Sequence, residues 1–128
     1  FHYNADNGAL NIIDHYPTLP ADVDTFNLCA DIHLTPDGKY LYASNRGHNS
    51  LAAYEVDAAT GKLRPIGHFA TRGDFPRNFA IHPSDNFLLV ANQNTDNLVQ
   101  FKIVQETGQL IYEQEWEVKT PVCIAFVK

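Results

Sequence analysis

Two stretches of this 128-residue chain follow one pattern: residues 31–63 read DIHLTPDGKYLYASNRGHNSLAAYEVDAATGKL, and residues 78–110 read NFAIHPSDNFLLVANQNTDNLVQFKIVQETGQL. They align without a gap at an offset of 47 residues, as between Pro36 and Pro83. Seven positions are identical, namely Pro36/Pro83, Leu41/Leu88, Asn45/Asn92, Leu51/Leu98, Thr60/Thr107, Gly61/Gly108 and Leu63/Leu110. A repeat of roughly 40–50 residues built from short strands is typical of a β-propeller blade. The repeat therefore predicts an all-β fold of antiparallel, four-stranded blades.

Each repeated unit contains four runs that are predicted as strands. The inner strand of the first unit is predicted at Ala30–Leu34. Its Ile32 and Leu34 point to one side of the sheet, and Asp31 and His33 point to the other. The tight turn Pro36–Gly38 follows, because proline pre-sets its backbone angle and glycine accepts a left-handed conformation. The remaining strands of this unit are predicted at Tyr40–Ser44, Leu51–Val56 and Leu63–Phe69. The asparagines, Asn45 and Asn92 among them, are expected mostly in turns, where their side chains bind the local backbone.

The ends of the chain fall inside units rather than between them. Phe1 aligns with Tyr54, in the middle of a unit, and PVCIAF at 121–126 repeats the pattern of PRNFAI at 76–81. Propellers need about 4–8 blades to close and protect their strand edges. We therefore expect this chain to be the C-terminal part of a longer propeller.

Composition argues against several classes of partner. The formal net charge is −6 and no basic stripe occurs, so nucleic acid and anionic membrane surfaces are poor partners. No apolar run approaches the roughly 18 residues of a membrane-spanning helix. The histidines lack metal-ligand spacing, so neither a metal nor a cofactor is expected. Cys29 and Cys123 fall on predicted inner strands and are expected as buried free thiols, which favours a reducing, cytoplasmic compartment.

Three segments in order resemble one family. ADIHLTPDGKYLY at 30–42, ASNRG at 43–47 and TRGDFPRNF at 71–79 resemble the seven-bladed β-propeller lactonases. That family includes the propeller-type bacterial 6-phosphogluconolactonase and the fungal 3-carboxy-cis,cis-muconate lactonizing enzyme. The resemblance implies the following division of the chain: residues 1–28 end a preceding blade and form a linking loop, 29–75 form a complete blade, 76–120 form the complete last blade, and 121–128 form a closing strand that completes the N-terminal blade of the intact protein.

The resemblance also implies a catalytic role for Arg46, which matches an arginine of the family's active face. A guanidinium presents a fixed fork of donors that suits a carboxylate or phosphate and stays charged at any working pH. The family's histidine, glutamate and second arginine have no assigned counterpart in this chain. The alternative for Arg46 is a surface arginine paired with Asp31 or with a backbone carbonyl.

Asp31, Arg77 and Asn78 are predicted near the mouth of the central channel as substrate-binding residues, because the inner strands begin there. Each has a structural alternative. The Asp31 carboxylate could cap the loop before its strand, and Arg77 could tie adjacent blades together. Asn78 cannot act as an acid or base, which leaves it a structural or hydrogen-bonding role.

The function implied by the resemblance is hydrolysis of a small anionic sugar lactone such as 6-phosphogluconolactone. Two alternatives stay open: a carboxymuconate cycloisomerase of the same fold, and a non-catalytic propeller that serves as a binding platform. We expect the full-length protein to be the enzyme and this segment alone to be inactive. Its partners would be the small anionic lactone and the remaining blades of the propeller, or a second copy that associates through exposed blade faces.

Overall fold

The computed structural model describes residues 1–127 and shows strands, turns and loops there, with no helix and hence no helical membrane span. The ten strands are β1 His2–Tyr3, β2 Leu10–Asn11, β3 Leu28–Leu34, β4 Tyr40–Arg46, β5 Ser50–Val56, β6 Leu63–Ala70, β7 Pro76–Ile81, β8 Phe87–Asn92, β9 Asn97–Ile103 and β10 Leu110–Glu117. The all-β prediction is confirmed.

Each repeated unit forms one antiparallel, four-stranded sheet. Strands β3, β4, β5 and β6 lie side by side in chain order, and β7, β8, β9 and β10 do the same in the second sheet. The predicted turn is present, with Gly38 at a φ of 75°. The first sheet differs from the prediction mainly at one edge, where β3 begins earlier, at Leu28, and β4 continues to Arg46. Leu28 and Arg46 pair with each other, so the extra residues of each strand are the pairing partners of the extra residues of the other strand.

The two sheets pack face to face through the second strand of the first sheet. Tyr42 is fully buried, and its hydroxyl donates a hydrogen bond of 2.8 Å to the carbonyl of Gly108 in the turn before β10. The hydroxyl of Tyr40 similarly donates to the carbonyl of Gln105 at 3.0 Å. Burial raises the pKa of the Tyr42 phenol well above its usual value. The near-continuous apolar character of β4 therefore reflects a strand covered on both of its faces.

Other faces of the sheets are open. Ile32 on β3 and Ile111 on β10 are more than half exposed, at 61% and 53%. Cys29 and Cys123 are also exposed, so the expectation of buried thiols was wrong for this chain. Cys29 lies on β3, an edge strand that pairs with β4 alone in its sheet, and Cys123 lies in the segment 121–127, which forms no strand.

Residues 121–127 form no strand, although Pro121 is buried. The segment lies against the second sheet: the amide of Ile124 donates to the side-chain oxygen of Asn78 at 2.7 Å, and the ring of Phe126 meets that of His82 edge-on at 4.9 Å. A closing strand over 121–128 stays a prediction, and Lys128 lies outside the described residues.

Candidate functional site

The antiparallel pairing brings two predicted site regions to one edge of the sheets. Cys29 at the start of β3 pairs with Asn45 at the end of β4, and Pro76 at the start of β7 pairs with Asn92 at the end of β8. The beginning of each inner strand and the turn after each second strand therefore share an edge. We call this edge the rim; it comprises Asn27–Cys29, Asn45–Asn49, Thr71–Arg77 and Asn92–Thr95.

Arg46 lies on the rim with most of its donors unused. Its Nη2 donates to the carbonyl of Cys29 at the long distance of 3.4 Å, and its Cζ lies 5.1 Å from the centre of the Phe75 ring. Its Nε is buried and has no hydrogen-bond partner within residues 1–127. A guanidinium has five N–H donors, so this arrangement leaves capacity for an anion. The structural alternatives for Arg46 were pairing with Asp31 or with a backbone carbonyl. Within residues 1–127, Arg46 bonds to the backbone carbonyl of Cys29 and makes no hydrogen bond to Asp31.

Asp31 and Asn78 occupy equivalent repeat positions and bind each other. Oδ2 of Asp31 accepts from Nδ2 of Asn78 at 2.6 Å and from the amide of Phe79 at 3.3 Å. It also lies 3.0 Å from Nε2 of His33. Oδ1 of Asn78 in turn accepts the amide of Ile124. Asp31 thus ties β3 to β7, and Asn78 ties β7 to the segment 121–127. Contact of either residue with substrate stays a prediction.

Arg77 binds within its own sheet. Its Nη1 donates to Oε1 of Gln93 at 3.1 Å, and Gln93 is the repeat counterpart of Arg46. This bond connects the start of β7 with the turn after β8, so it does not tie adjacent blades. Arg77 places a second positive charge on the rim, and its role toward a substrate stays a prediction.

The buried asparagines Asn45 and Asn92 were misjudged as turn residues. Both side chains are fully buried at strand ends, and each holds a loop against the rim. Nδ2 of Asn45 donates to the carbonyl of Thr18 at 2.6 Å, and Nδ2 of Asn92 donates to the carbonyl of Thr71 at 3.0 Å. The sequence did offer a signal of this burial, since both units have asparagine at the same repeat position. A turn position accepts several residue types, whereas a buried amide with fixed partners accepts few.

The loop Thr71–Pro76 belongs to a segment that carries the family resemblance, but its contact with Arg46 was not predicted. It carries the ring that lies beneath Arg46. Phe75 adopts a left-handed backbone with a φ of 63°, which is uncommon for a bulky residue and is kept only where the surroundings hold it. Its amide donates to Oδ1 of Asn49 at 3.0 Å. Next to it, the Asp74 carboxylate accepts from Nδ2 of Asn94 and of Asn49, and these bonds hold the pKa of Asp74 below its usual value.

Residues 1–127 contain no group of three histidine, cysteine, aspartate or glutamate side chains placed to hold a metal ion. The rim carries fixed cations and hydrogen-bond donors, and these suit the recognition of an anion.

Two successive four-stranded antiparallel sheets, each formed by one unit of the repeat and packed face to face, are the arrangement of neighbouring blades in a β-propeller. Comparison with known proteins agrees: the family described as "Lactonase, 7-bladed beta-propeller" matches residues 1–126. The chain belongs to this family.

Three relatives illustrate the similarity. The chain is 48% identical over 106 residues to a 6-phosphogluconolactonase of Formosa agariphila, covering 81% of this chain and 30% of the relative. It is 36% identical over 126 residues to a 6-phosphogluconolactonase of Bacillus subtilis, covering 98% and 36%. The solved structure of a periplasmic gluconolactonase of Pseudomonas aeruginosa superposes with a TM-score of 0.92 at 35% identity, covering 98% of this chain and 35% of that one. The chain spans about a third of the length of the curated relatives it matches.

Proposed function

We propose that this chain forms part of a seven-bladed propeller that hydrolyses a small anionic sugar lactone of the 6-phosphogluconolactone type. In this proposal Arg46 binds the anionic group of the substrate at the rim. The observation that carries it is the guanidinium of Arg46, which lies over an aromatic ring and makes a single long hydrogen bond, from Nη2 to the carbonyl of Cys29, within residues 1–127. The outer N–H donors of the guanidinium therefore have capacity left for an anionic ligand, and this supports the proposal.

The role of the cation follows from charge and geometry. A phosphate offers oxygens that accept two parallel N–H bonds from a guanidinium, which fixes the orientation of the substrate as well as its position. With the anion held at the rim, the lactone carbonyl would lie over the mouth of the channel. A general base on the complete propeller would activate water to attack that carbonyl. No residue of this chain is proposed as that base.

The other proposed contacts are secondary to Arg46. Arg77 would add a second positive charge near the substrate, and its bond to Gln93 would keep the guanidinium on the rim. Asp31 and Asn78 would act at the mouth chiefly by keeping the inner strands aligned through their mutual hydrogen bond. The similarity to two 6-phosphogluconolactonases supports lactone hydrolysis over a cycloisomerase or a binding platform. We retain a cytoplasmic location as part of the proposal, although one relative is described as periplasmic.

The test compares two lactones that differ only in the phosphate. Hydrolysis of 6-phosphogluconolactone and of gluconolactone is measured for the complete propeller, for Arg46→Ala, and for the control Arg64→Ala. Arg64 lies on β6 and pairs with Glu55 at an exposed position. A hydrogen bond to a charged group contributes about 1.5–3 kcal/mol, so Arg46→Ala should raise KM for the phosphorylated lactone by about tenfold to a hundredfold.

The same substitution should leave the rate with unphosphorylated gluconolactone within about twofold, because that substrate lacks the group that Arg46 binds. Arg64→Ala should behave as the unaltered protein with both substrates. If Arg46→Ala changes neither KM nor kcat for the phosphorylated lactone, Arg46 does not bind the substrate and the proposal fails.

A further inference from the structure

Asn49 connects the turn that follows Arg46 to the loop that leads into the second sheet. Its Nδ2 donates to Oδ1 of Asp74 at 2.7 Å, and its Oδ1 accepts the amide of Phe75 at 3.0 Å. Its backbone carbonyl accepts the amide of Thr71 at 2.9 Å. The residue itself has a left-handed backbone, with a φ of 55°. One asparagine therefore holds both ends of the loop Thr71–Pro76.

The second unit contains the same arrangement without the aromatic ring. Asp96 is the repeat counterpart of Asn49 and also has a left-handed backbone, with a φ of 53°. Its carbonyl accepts the amide of Val118 at 2.8 Å, and its Oδ1 accepts the amide of Thr120 at 2.8 Å. Thr120 is left-handed and precedes a proline, as Phe75 does.

The difference between the two units coincides with Arg46. In the unit whose second strand ends in Arg46, the left-handed residue whose amide is bound by Asn49 is the aromatic Phe75. Its ring lies beneath the Arg46 guanidinium. In the other unit the held residue is Thr120, and the position of Arg46 is occupied by the uncharged Gln93. Holding the loop does not require a ring, since Thr120 serves, so the ring of Phe75 has a separate role.

We propose that Asn49 and Phe75 are positioning residues for Arg46: Asn49 fixes the left-handed backbone of Phe75, whose ring then holds the guanidinium in place for an anionic ligand. This inference rests on the proposed function. A cation within about 6 Å of a ring centre is attracted to its face, and the 5.1 Å separation satisfies this. A long, flexible side chain held before the ligand arrives loses less entropy on binding.

The experiment uses the complete propeller and the variants Asn49→Ala, Asp96→Ala, Phe75→Leu and Phe75→Tyr. Two quantities are measured: KM and kcat for 6-phosphogluconolactone, and the position of the Arg46 Nε–H signal in a nitrogen–proton NMR spectrum. That signal is assigned by its absence from Arg46→Lys. The Phe75 variants keep the test decisive even where an Asn49 variant fails to fold.

We expect Asn49→Ala and Phe75→Leu to raise KM by about fivefold to tenfold with kcat within about twofold, because the anion contact acts equally in ground and transition states. Both should move the Arg46 signal, since the proton leaves the face of the ring. Phe75→Tyr keeps an aromatic ring and should leave KM within about twofold of the unaltered protein's value. Asp96→Ala should lower stability to a similar extent as Asn49→Ala without moving KM or the signal.

The inference is overturned if Phe75→Leu leaves the Arg46 signal unmoved, if Phe75→Leu and Phe75→Tyr raise KM equally, or if Asp96→Ala raises KM as much as Asn49→Ala does. Its failure is distinguishable from that of the proposed function. A complete propeller that does not hydrolyse the lactone refutes the function, whereas the NMR signal still decides whether Asn49 and Phe75 position Arg46.

Discussion

The packing between the two sheets can be tested by replacing glycine with alanine, which adds one methyl group, at two equivalent positions of the repeat and comparing the loss of stability. Gly61 and Gly108 are repeat counterparts with nearly the same left-handed backbone, at φ values of 70° and 68°. A Cβ on Gly61 would lie 3.0 Å from Cδ1 of Ile13, the end of a flexible side chain. A Cβ on Gly108 would lie 2.4 Å from Cδ1 of Tyr40 and 2.8 Å from Cδ1 of Ile66.

The two substitutions share one cost and differ in another. A left-handed alanine costs about 1–2 kcal/mol, so Gly61→Ala should lower the free energy of unfolding by about that amount. Gly108→Ala carries the same cost and must also displace the ring of Tyr40, which is buried and anchored by its hydrogen bond to Gln105. Overpacking of this kind costs about 1–3 kcal/mol, so the total for Gly108→Ala should be about 2–5 kcal/mol.

The assay is urea unfolding of the complete propeller, followed by tryptophan fluorescence, with both variants compared at equal protein concentration. The slope of the unfolding transition should be unchanged, so that the shift in midpoint reports stability. Equal midpoints for Gly61→Ala and Gly108→Ala would refute the reasoning, because the turn before β10 would then not be packed against Tyr40.

Two further predictions concern the hydrogen bonds of Tyr42 and of Asp74. Tyr42→Phe should lower the free energy of unfolding by about 1–3 kcal/mol, because it leaves the buried carbonyl of Gly108 without its partner; an unchanged urea midpoint would contradict this. The pKa of Asp74 is lowered in the folded state by bonds from Asn94 and Asn49, so its contribution to stability is complete above its ordinary pKa of 3.8 and is lost as the pH falls through the lower folded value. Melting temperatures measured between about pH 5 and about pH 2 should therefore fall less for Asp74→Asn than for the unaltered protein, and parallel curves would contradict this.

Much of the fold could be predicted because the same sequence pattern occurs in both repeated units. Turn residues at matching positions and apolar residues at alternate positions set the strands of both sheets, and Gly38 takes the left-handed conformation its turn requires. The errors lie at edges. The sequence alone could not show that β4 continues to Arg46, because a polar pair such as Asn45–Arg46 resembles a turn until its partners at Leu28 and Cys29 are known.

The candidate site was only partly predictable. Arg46 was found through a family resemblance, and its place on the rim follows from strand direction. The contact with Phe75 could not be foreseen, because it depends on a left-handed aromatic residue whose amide is held by Asn49 from the preceding sheet. Burial of Asn45 was missed for the same reason, since its partner at Thr18 comes from a loop 27 residues away in the chain.

The central claim is that Arg46 binds the anionic group of the substrate. A crystal structure of the complete propeller with 6-phosphogluconate tests it most directly. We predict phosphate oxygens within about 3 Å of the Arg46 guanidinium nitrogens, with the guanidinium still over the ring of Phe75. A phosphate bound elsewhere on the propeller, with Arg46 making no contact to it, would contradict the account.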